Sequence, residues 1–337
     1  SGGTGKTNVG GPTASFGVWH EHIPEVKRIA EEYGIEIVRV HTHIGSGSDP
    51  MIWQQATHLS LNIVSQFPDV VTLNLGGGYK VGRTHLEAST NLQEIGAPVK
   101  QLILEYSEST GRKLDLEIEP GTYLMANCGS LLCKVQDVCS TTKEFMVSSG
   151  SGAGAGSVSV AGGDDKKEDK NDNGVKCEDG FRFLKLNTGM TELLRPSLYG
   201  AQHPISLIES KTSKTDTTDT TDTTTIETPV ESNSEEYVVV GHCCESGDLF
   251  SCQPGASETL RNVTFSRQVC IGDLIVIDGA GAYCSSMSTK NYNSFPEAPE
   301  ILIRLDGSIV CIRRKQSLEQ IIQNEMRLSH HMNRNEK

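Results

Sequence analysis

Several short stretches of this chain combine residue types that can do chemistry. His43-Ile44-Gly45-Ser46-Gly47 and Gly76-Gly77-Gly78 are rich in glycine. Glycine lets the backbone approach a ligand closely, and successive N–H groups can cradle a phosphate, with the Ser46 hydroxyl as a further donor. A tight turn explains a lone glycine triplet equally well, and neither stretch matches G-x-x-x-x-G-K-[ST] or a full G-x-G-x-x-G, so nucleotide binding is not favoured. Glu119 stands before Pro120-Gly121. If buried, its carboxylate needs a cationic or protonated partner; otherwise it is a solvated turn residue. His43 reads on its own as a core histidine or as part of the same site. Arg195, within Leu194-Arg195-Pro196-Ser197-Leu198-Tyr199-Gly200, can fork onto a carboxylate or form an ordinary surface ion pair. Cys243-Cys244-Glu245-Ser246-Gly247-Asp248 sets thiols among acids. Negative neighbours raise a thiol's pKa, which makes it a poor nucleophile; it remains able to give up a proton, and the alternative is a structural thiol.

The elements that position these residues alternate in the front half. Ile23, Val26, Ile29, Ala30 and Tyr33 recur at helical spacing, with Pro24 suited to the first turn and Gly34 to the position just past the end. The run 35–41 is β-branched and reads as a strand, and Ile52, Ala56, Leu59, Ile63, Val64 and Phe67 follow with helical period. The unit repeats as strand 70–75, helix 92–110 and strand 114–118. Strands separated by helices imply a parallel sheet with crossovers, and the reactive stretches sit just past the strands' C-terminal ends. That is the active face of a β/α barrel, though an open doubly wound sheet uses the same ends. Beyond about residue 130 the pattern becomes mostly β, with strands near 130–138, 181–186, 237–241, 272–278 and 300–313, and a short helical pattern at 316–328.

Composition sets bounds on partners and compartment. The chain has 337 residues, long enough for one large α/β domain or two domains. A net charge of −13 argues against nucleic acid as a partner, and no run of about 18 apolar residues exists to cross a membrane. Residues 209–236, with a Thr-Asp repeat, carry a net −6, nearly half of the total. This segment and the Gly/Ser-rich, charged segment 148–176 read as low-complexity insertions. The ten cysteines form no C-x-x-C pair and no zinc-type cluster with histidine, so no metal site is expected. Cys133 and Cys311 lie in apolar strand-like runs, where cysteine acts as a small buried hydrophobe. A reducing, intracellular setting is expected.

Together these stretches resemble the diaminopimelate decarboxylase branch of the pyridoxal-phosphate decarboxylases with an alanine-racemase-like barrel. The resemblance is carried, in order, by His41-Thr42-His43-Ile44-Gly45-Ser46-Gly47, Asn74-Leu75-Gly76-Gly77-Gly78, Glu117-Ile118-Glu119-Pro120-Gly121, Arg195-Pro196-Ser197-Leu198-Tyr199-Gly200-Ala201, Cys244-Glu245-Ser246-Gly247-Asp248 and Gly279-Ala280-Gly281-Ala282-Tyr283. It implies an α/β fold: a (β/α)8 TIM-type barrel over residues 1–129, incomplete at its N-terminus, then a mostly β C-terminal domain over 130–337. It also implies a homodimer with shared active sites, in the cytoplasm or, in a eukaryote, a plastid. The implied reaction is decarboxylation of meso-2,6-diaminopimelate to L-lysine with pyridoxal 5'-phosphate. The alternatives are an inactive homologue that regulates a true decarboxylase, and a decarboxylase of another basic amino acid.

By matching position, His43 would stack on the cofactor ring, and Ser46 with Gly76, Gly77 and Gly78 would hold its phosphate. Glu119 would pair with the pyridine nitrogen, next to Pro120, Gly121 and Thr122. Arg195, Tyr199 and Glu245 would grip the substrate, Tyr283 would touch both substrate and cofactor, and Cys244 would give a proton across the dimer. Two departures stand out. Thr122 occupies a position where the family usually has an arginine for a substrate carboxylate. The family's Schiff-base lysine lies upstream of the His-Ile-Gly-Ser motif, where Lys6 has no strand pattern around it and is not assigned the role. With Ser1 in place of a methionine, the chain is expected to begin partway into its barrel.

Overall fold

The computed structural model describes residues 14–142, 180–209 and 234–326. Lys6, the insertion 148–176 and most of the insertion 209–236 lie outside the described residues. Helix α1 (Ile23–Tyr33) has Pro24 in its first turn and ends on Gly34 at φ 63°, a left-handed cap that glycine adopts without a steric penalty. Strand β1 (Arg39–His41) leads to α2 (Pro50–Val64), capped by Asp49, whose carboxylate accepts Met51 N–H. Strand β2 (Thr72–Asn74), helix α3 (Leu92–Thr110, capped by Asn91) and strand β3 (Asp115–Glu117) complete the unit.

The three strands pair in parallel in the order β1-β2-β3, with Val40 opposite Leu73 and Leu73 opposite Leu116. The α/β class is as expected, and the three strands read in the front half are the ones that pair here among the described residues. Each strand is also shorter than its apolar run: Ile35–Val38 precede the ladder, and only the Val38 carbonyl enters it, taking the N–H groups of Val71 and Thr72. Trp53, Leu61, Val64, Val70, Leu73, Ile95 and Val99 are buried between helices and sheet, while Val38, Val71, Leu116 and Ile118 are exposed.

Past a short helix α4 (Gly121–Met125), a second sheet of six strands takes over. Its members are β4 (Leu131–Ser140), β5 (Arg182–Leu186), β6 (Ile205–Leu207), β7 (Glu235–Val240), β10 (Val263–Phe265) and β11 (Leu274–Ile277), in the order β10-β7-β5-β4-β11-β6. All neighbours are antiparallel except β5 and β7. Its core is Cys133, Val135, Leu184, Leu186, Tyr237, Val239, Phe250, Ile275 and Ile277. Helix α5 (Arg195–Tyr199) and the two-stranded ribbons β8 (Cys252–Gln253) with β9 (Ala256–Leu260) and β12 (Glu300–Ile303) with β13 (Ile309–Arg313) flank it, and one helical turn, α6 (Leu318–Ile321), follows.

Three expectations change here. Glu235 and Glu236 belong to β7 rather than to the acidic insertion, because Glu235 pairs with Arg182 and Glu236 accepts the Asn262 amide at 3.0 Å. Cys311 is exposed on a ribbon that pairs with no further strand among the described residues, whereas Cys133 is buried as expected. Of the helix expected at 316–328, the described part, to residue 326, holds one turn, Leu318–Ile321, with a capping box between Ser317 and Gln320.

Candidate active site

The strand ends of the parallel sheet meet side by side. Thr42 N–H bonds to Asn74 O, Leu75 N–H to Glu117 O, and Glu119 N–H to Gly76 O. This brings His43, the glycine triplet and Glu119 to one place. The triplet is glycine for lack of room. A Cβ on Gly77 would stand 2.5 Å from the Glu119 carbonyl oxygen, and one on Gly76 would stand 2.8 Å from the Thr42 carbonyl oxygen. Gly76 and Gly78 also have φ of 69° and 99°.

Polar contacts fix this platform. Gly45 N–H donates to His43 Nδ1 at 2.9 Å, so in the neutral ring the proton sits on Nε2. Its surroundings lower the His43 pKa, chiefly by desolvation and next by the neighbouring His41, which keeps the ring uncharged near neutral pH. Asn74 Oδ1 accepts Gly76 N–H at 2.7 Å while its Nδ2 donates to Glu119 Oε1 at 2.9 Å and Glu117 Oε2 at 3.2 Å. Glu119 is half-exposed and lies 3.8 Å from His41 Nε2, which makes it a solvated carboxylate in this chain.

A cavity of about 650 Å³ opens in front of the platform. Of the predicted site residues, His43, Ser46, Gly77, Gly78, Pro120, Gly121 and Thr122, from the parallel-sheet part, and Arg195, Tyr199 and Tyr283, from the part that follows, all line it. Gly76 and Glu119 do not line it. Neither do Cys244 and Glu245, which are exposed: Cys244 N–H bonds to Asn293 Oδ1 at 3.1 Å, and Glu245 Oε2 accepts the Tyr292 hydroxyl at 3.2 Å. Their turn is built on the buried carboxylate of Asp248, which accepts Met190 N–H at 2.7 Å and Cys243 N–H at 2.8 Å.

The two parts are held together by a glycine-rich turn. Ala280 N–H bonds to Gly129 O at 2.7 Å and Gly281 N–H to Ala126 O at 2.9 Å. Tyr283 follows at φ 55°, a left-handed conformation for a bulky residue. Residues absent from the sequence-based list also line the cavity, among them Tyr79, Lys80, Arg83 and Gln202. Arg83 gives no sequence signal, since its loop has no period, and only its place after a glycine triplet hints at proximity. Burial, with the Arg195 charge next, pushes the Arg83 guanidinium down to about 10. Arg83 Nη2 and Arg195 Nε are buried without a hydrogen-bond partner among the described residues. A cavity lined by a glycine turn, an uncharged imidazole and two arginines, each with one buried unpartnered N–H, can receive anions.

No described helix is long and apolar enough to cross a membrane. Among the described residues, no group of three or more His, Cys, Asp or Glu is placed to hold a metal ion.

Known proteins resemble this chain in sequence and in fold. The chain is 28% identical to the diaminopimelate decarboxylase of Escherichia coli K12 over 322 residues, covering 95% of this chain and 63% of that protein. Among solved structures, a diaminopimelate decarboxylase superposes with a TM-score of 0.72 at 26% identity, over 96% of this chain and 64% of that one. The Helicobacter pylori diaminopimelate decarboxylase complexed with L-lysine gives a TM-score of 0.61 at 25% identity, over 93% and 61%. The chain therefore spans less than two thirds of the length of these relatives. The family model described as pyridoxal-dependent decarboxylase, C-terminal sheet domain, matches residues 63–281. On that match, this chain belongs to the pyridoxal-dependent decarboxylases.

Proposed function

We propose that the protein containing this chain is a carboxy-lyase that uses pyridoxal 5'-phosphate to remove CO2 from the D-centre of meso-2,6-diaminopimelate, leaving L-lysine. The observation that carries this reading is the joint lining of one cavity by His43, Ser46 and the glycine platform and by Arg195, Tyr199 and Tyr283. The residues present fit the cofactor. Gly77 and Gly78 line the cavity with no side chain, a Cβ on either being blocked by the Glu119 or Gly45 carbonyl, and their N–H groups are the ones placed to meet a phosphate, the Gly76 N–H being taken by Asn74. When bound, the pyridoxal ring supplies an electron sink for the pair left by departing CO2.

In this reading Ser46 and the Gly76–Gly78 turn would hold the phosphate, Gly77 and Gly78 directly and Gly76 by anchoring the turn to Asn74, and the uncharged face of His43 would stack on the ring. Asn74 holds the Glu119 carboxylate, which would pair with the pyridine nitrogen and keep it protonated. Pro120, Gly121 and Thr122 line the same cavity, with the barrel part ending near residue 129. Arg195 and Tyr199 take the substrate's charged groups, and Tyr283 contacts both substrate and cofactor. Cys244 and Glu245 lie outside their own chain's cavity, exposed on a turn that Asp248 stiffens; this supports a homodimer in which they serve the partner copy's site, Cys244 as proton donor. The Schiff-base lysine is not assigned to any residue of this chain. Nine cysteines are free among the described residues, which supports a reducing compartment, the cytoplasm or a plastid.

The test is the full-length protein loaded with cofactor. CO2 and L-lysine should form from meso-diaminopimelate, with no CO2 from ornithine or arginine. Turnover of ornithine or arginine in preference to diaminopimelate would overturn the substrate, and no turnover of any would overturn the activity.

A further inference from the structure

We propose that Arg83 is a substrate-binding residue, which together with Arg195 clamps the carboxylate that the product retains. The inference rests on the function proposed above and names a residue that neither the motifs nor the matching positions assign.

Arg83 reaches the cavity from the loop that follows the glycine triplet, and that loop is fixed. Gly82 N–H donates to Ser89 Oγ at 2.9 Å, Arg83 N–H to Glu87 Oε2 at 2.9 Å, and the Asn127 amide to Gly82 O at 3.1 Å. The side chain is fixed as well. Its Nε–H donates to the Gly279 carbonyl at 3.1 Å, and a Cβ on Gly279 would stand 2.9 Å from the Arg83 Cγ and Cδ. The stem therefore has one track along the Gly279 turn, with the guanidinium at its end.

That guanidinium lacks its usual neighbours. Among the described residues no carboxylate lies within ion-pair distance of Arg83 or Arg195, and both contribute to the wall of the same cavity. Buried Nη2 of Arg83 and buried Nε of Arg195 have no acceptor among those residues. Leaving a buried donor of a charged group unpaired is costly, and two like charges sharing one wall add repulsion. An oxyanion between them removes both costs. Thr122, which lines the same cavity, brings no positive charge, and Arg83, with its buried unpartnered N–H, is placed to supply a fixed cation beside Arg195.

Two oxyanions could be the occupant: the substrate carboxylate and the cofactor phosphate. The N–H cradle at the glycine platform already suits the phosphate, and the experiment separates the two. L-lysine and 1,5-diaminopentane differ by one carboxylate. Their dissociation constants are measured by calorimetry on the cofactor-loaded full-length protein, for wild type, Arg83→Gln and Arg83→Lys, with cofactor affinity followed by absorbance. In wild type, lysine should bind more tightly than the diamine. Arg83→Gln should weaken lysine by about ten- to a hundredfold, leave the diamine within about twofold, and leave cofactor affinity unchanged. Arg83→Lys, which keeps charge but loses the fork, should fall between. Adding Thr122→Arg to Arg83→Gln should restore part of the lysine preference. An intact lysine preference in Arg83→Gln would overturn the assignment, as would equal weakening of both ligands or a loss confined to the cofactor. If wild type releases CO2 from diaminopimelate while Arg83→Gln keeps its preference, only the Arg83 assignment fails; absence of that turnover in wild type overturns the function itself.

Discussion

Asn74 Nδ2 donates to Glu119 Oε1 at 2.9 Å, so the last residue of one strand sets the carboxylate that follows the next. The same side chain accepts Gly76 N–H at 2.7 Å, and thus serves glycine platform and carboxylate at once. Replacing Asn74 with Ala should leave the fold intact but weaken cofactor binding by about five- to fiftyfold, the effect of losing hydrogen bonds to a charged group and a buried N–H. Asn74→Asp should do more damage, because it places a third carboxylate next to Glu117 and Glu119. A cofactor titration that gives wild-type affinity for both variants would refute this.

Gly77 tests the platform by volume instead of by charge. A methyl group there meets the Glu119 carbonyl oxygen at 2.5 Å, and a backbone atom cannot rotate away. Gly77→Ala should cost about 1–3 kcal/mol of stability and impair cofactor binding. Gly121→Ala provides the comparison, since no atom lies within 4 Å of its would-be Cβ. Equal melting temperatures for the two variants would count against the crowding seen at Gly77.

His203 gives a pH signature. Its Nδ1–H donates to Asp278 O at 2.9 Å, and burial, with Arg195 and Arg83 adding to it, lowers its pKa to about 4. An unfolded histidine titrates near 6.5, so between about pH 6.5 and 4 the unfolded chain binds the extra proton. The stability owed to neutral His203 is therefore fully present above pH 6.5 and is lost as pH falls toward 4, by on the order of 3 kcal/mol. Denaturant melts across that window should show a shallower acid slope for His203→Gln than for wild type. Parallel slopes would remove His203 from the account.

Cys243 and Cys244 are neighbours with opposite expected reactivity. Burial, with Asp248 next, pushes the Cys243 thiol up to about 12, while Cys244 is exposed. Brief iodoacetamide treatment near neutral pH followed by peptide mapping should find label on Cys244 and none on Cys243. Preferential labelling of Cys243 would contradict the turn geometry.

The outcome divides by how local the information is. Helix Ile23–Tyr33 can be read from periodicity and Gly34 alone, helix Leu92–Thr110 from its place between two strands, and the parallel strands from β-branched runs. Strands of two or three residues, such as Cys252–Gln253 and Val263–Phe265, cannot, because they hold less than two periods of alternation and exist only through their partners. The platform residues are legible because they cluster just past strand ends. Arg83 is not, because the Gly279 carbonyl that orients it lies 196 positions away. Nor does local pattern reveal that Cys244 and Glu245 stand outside their own chain's cavity.

Tyr283 carries a last consequence. A tyrosine at φ 55° costs about 1 kcal/mol that glycine would not, and its side chain is 55% exposed, so packing returns little of that cost. Folding alone would favour a smaller residue at this turn. Selection for stability and selection for the cavity therefore pull in opposite directions at one position. A library screened only for thermal resistance should enrich Gly or Asn at position 283 and thereby strip one wall of its aromatic face.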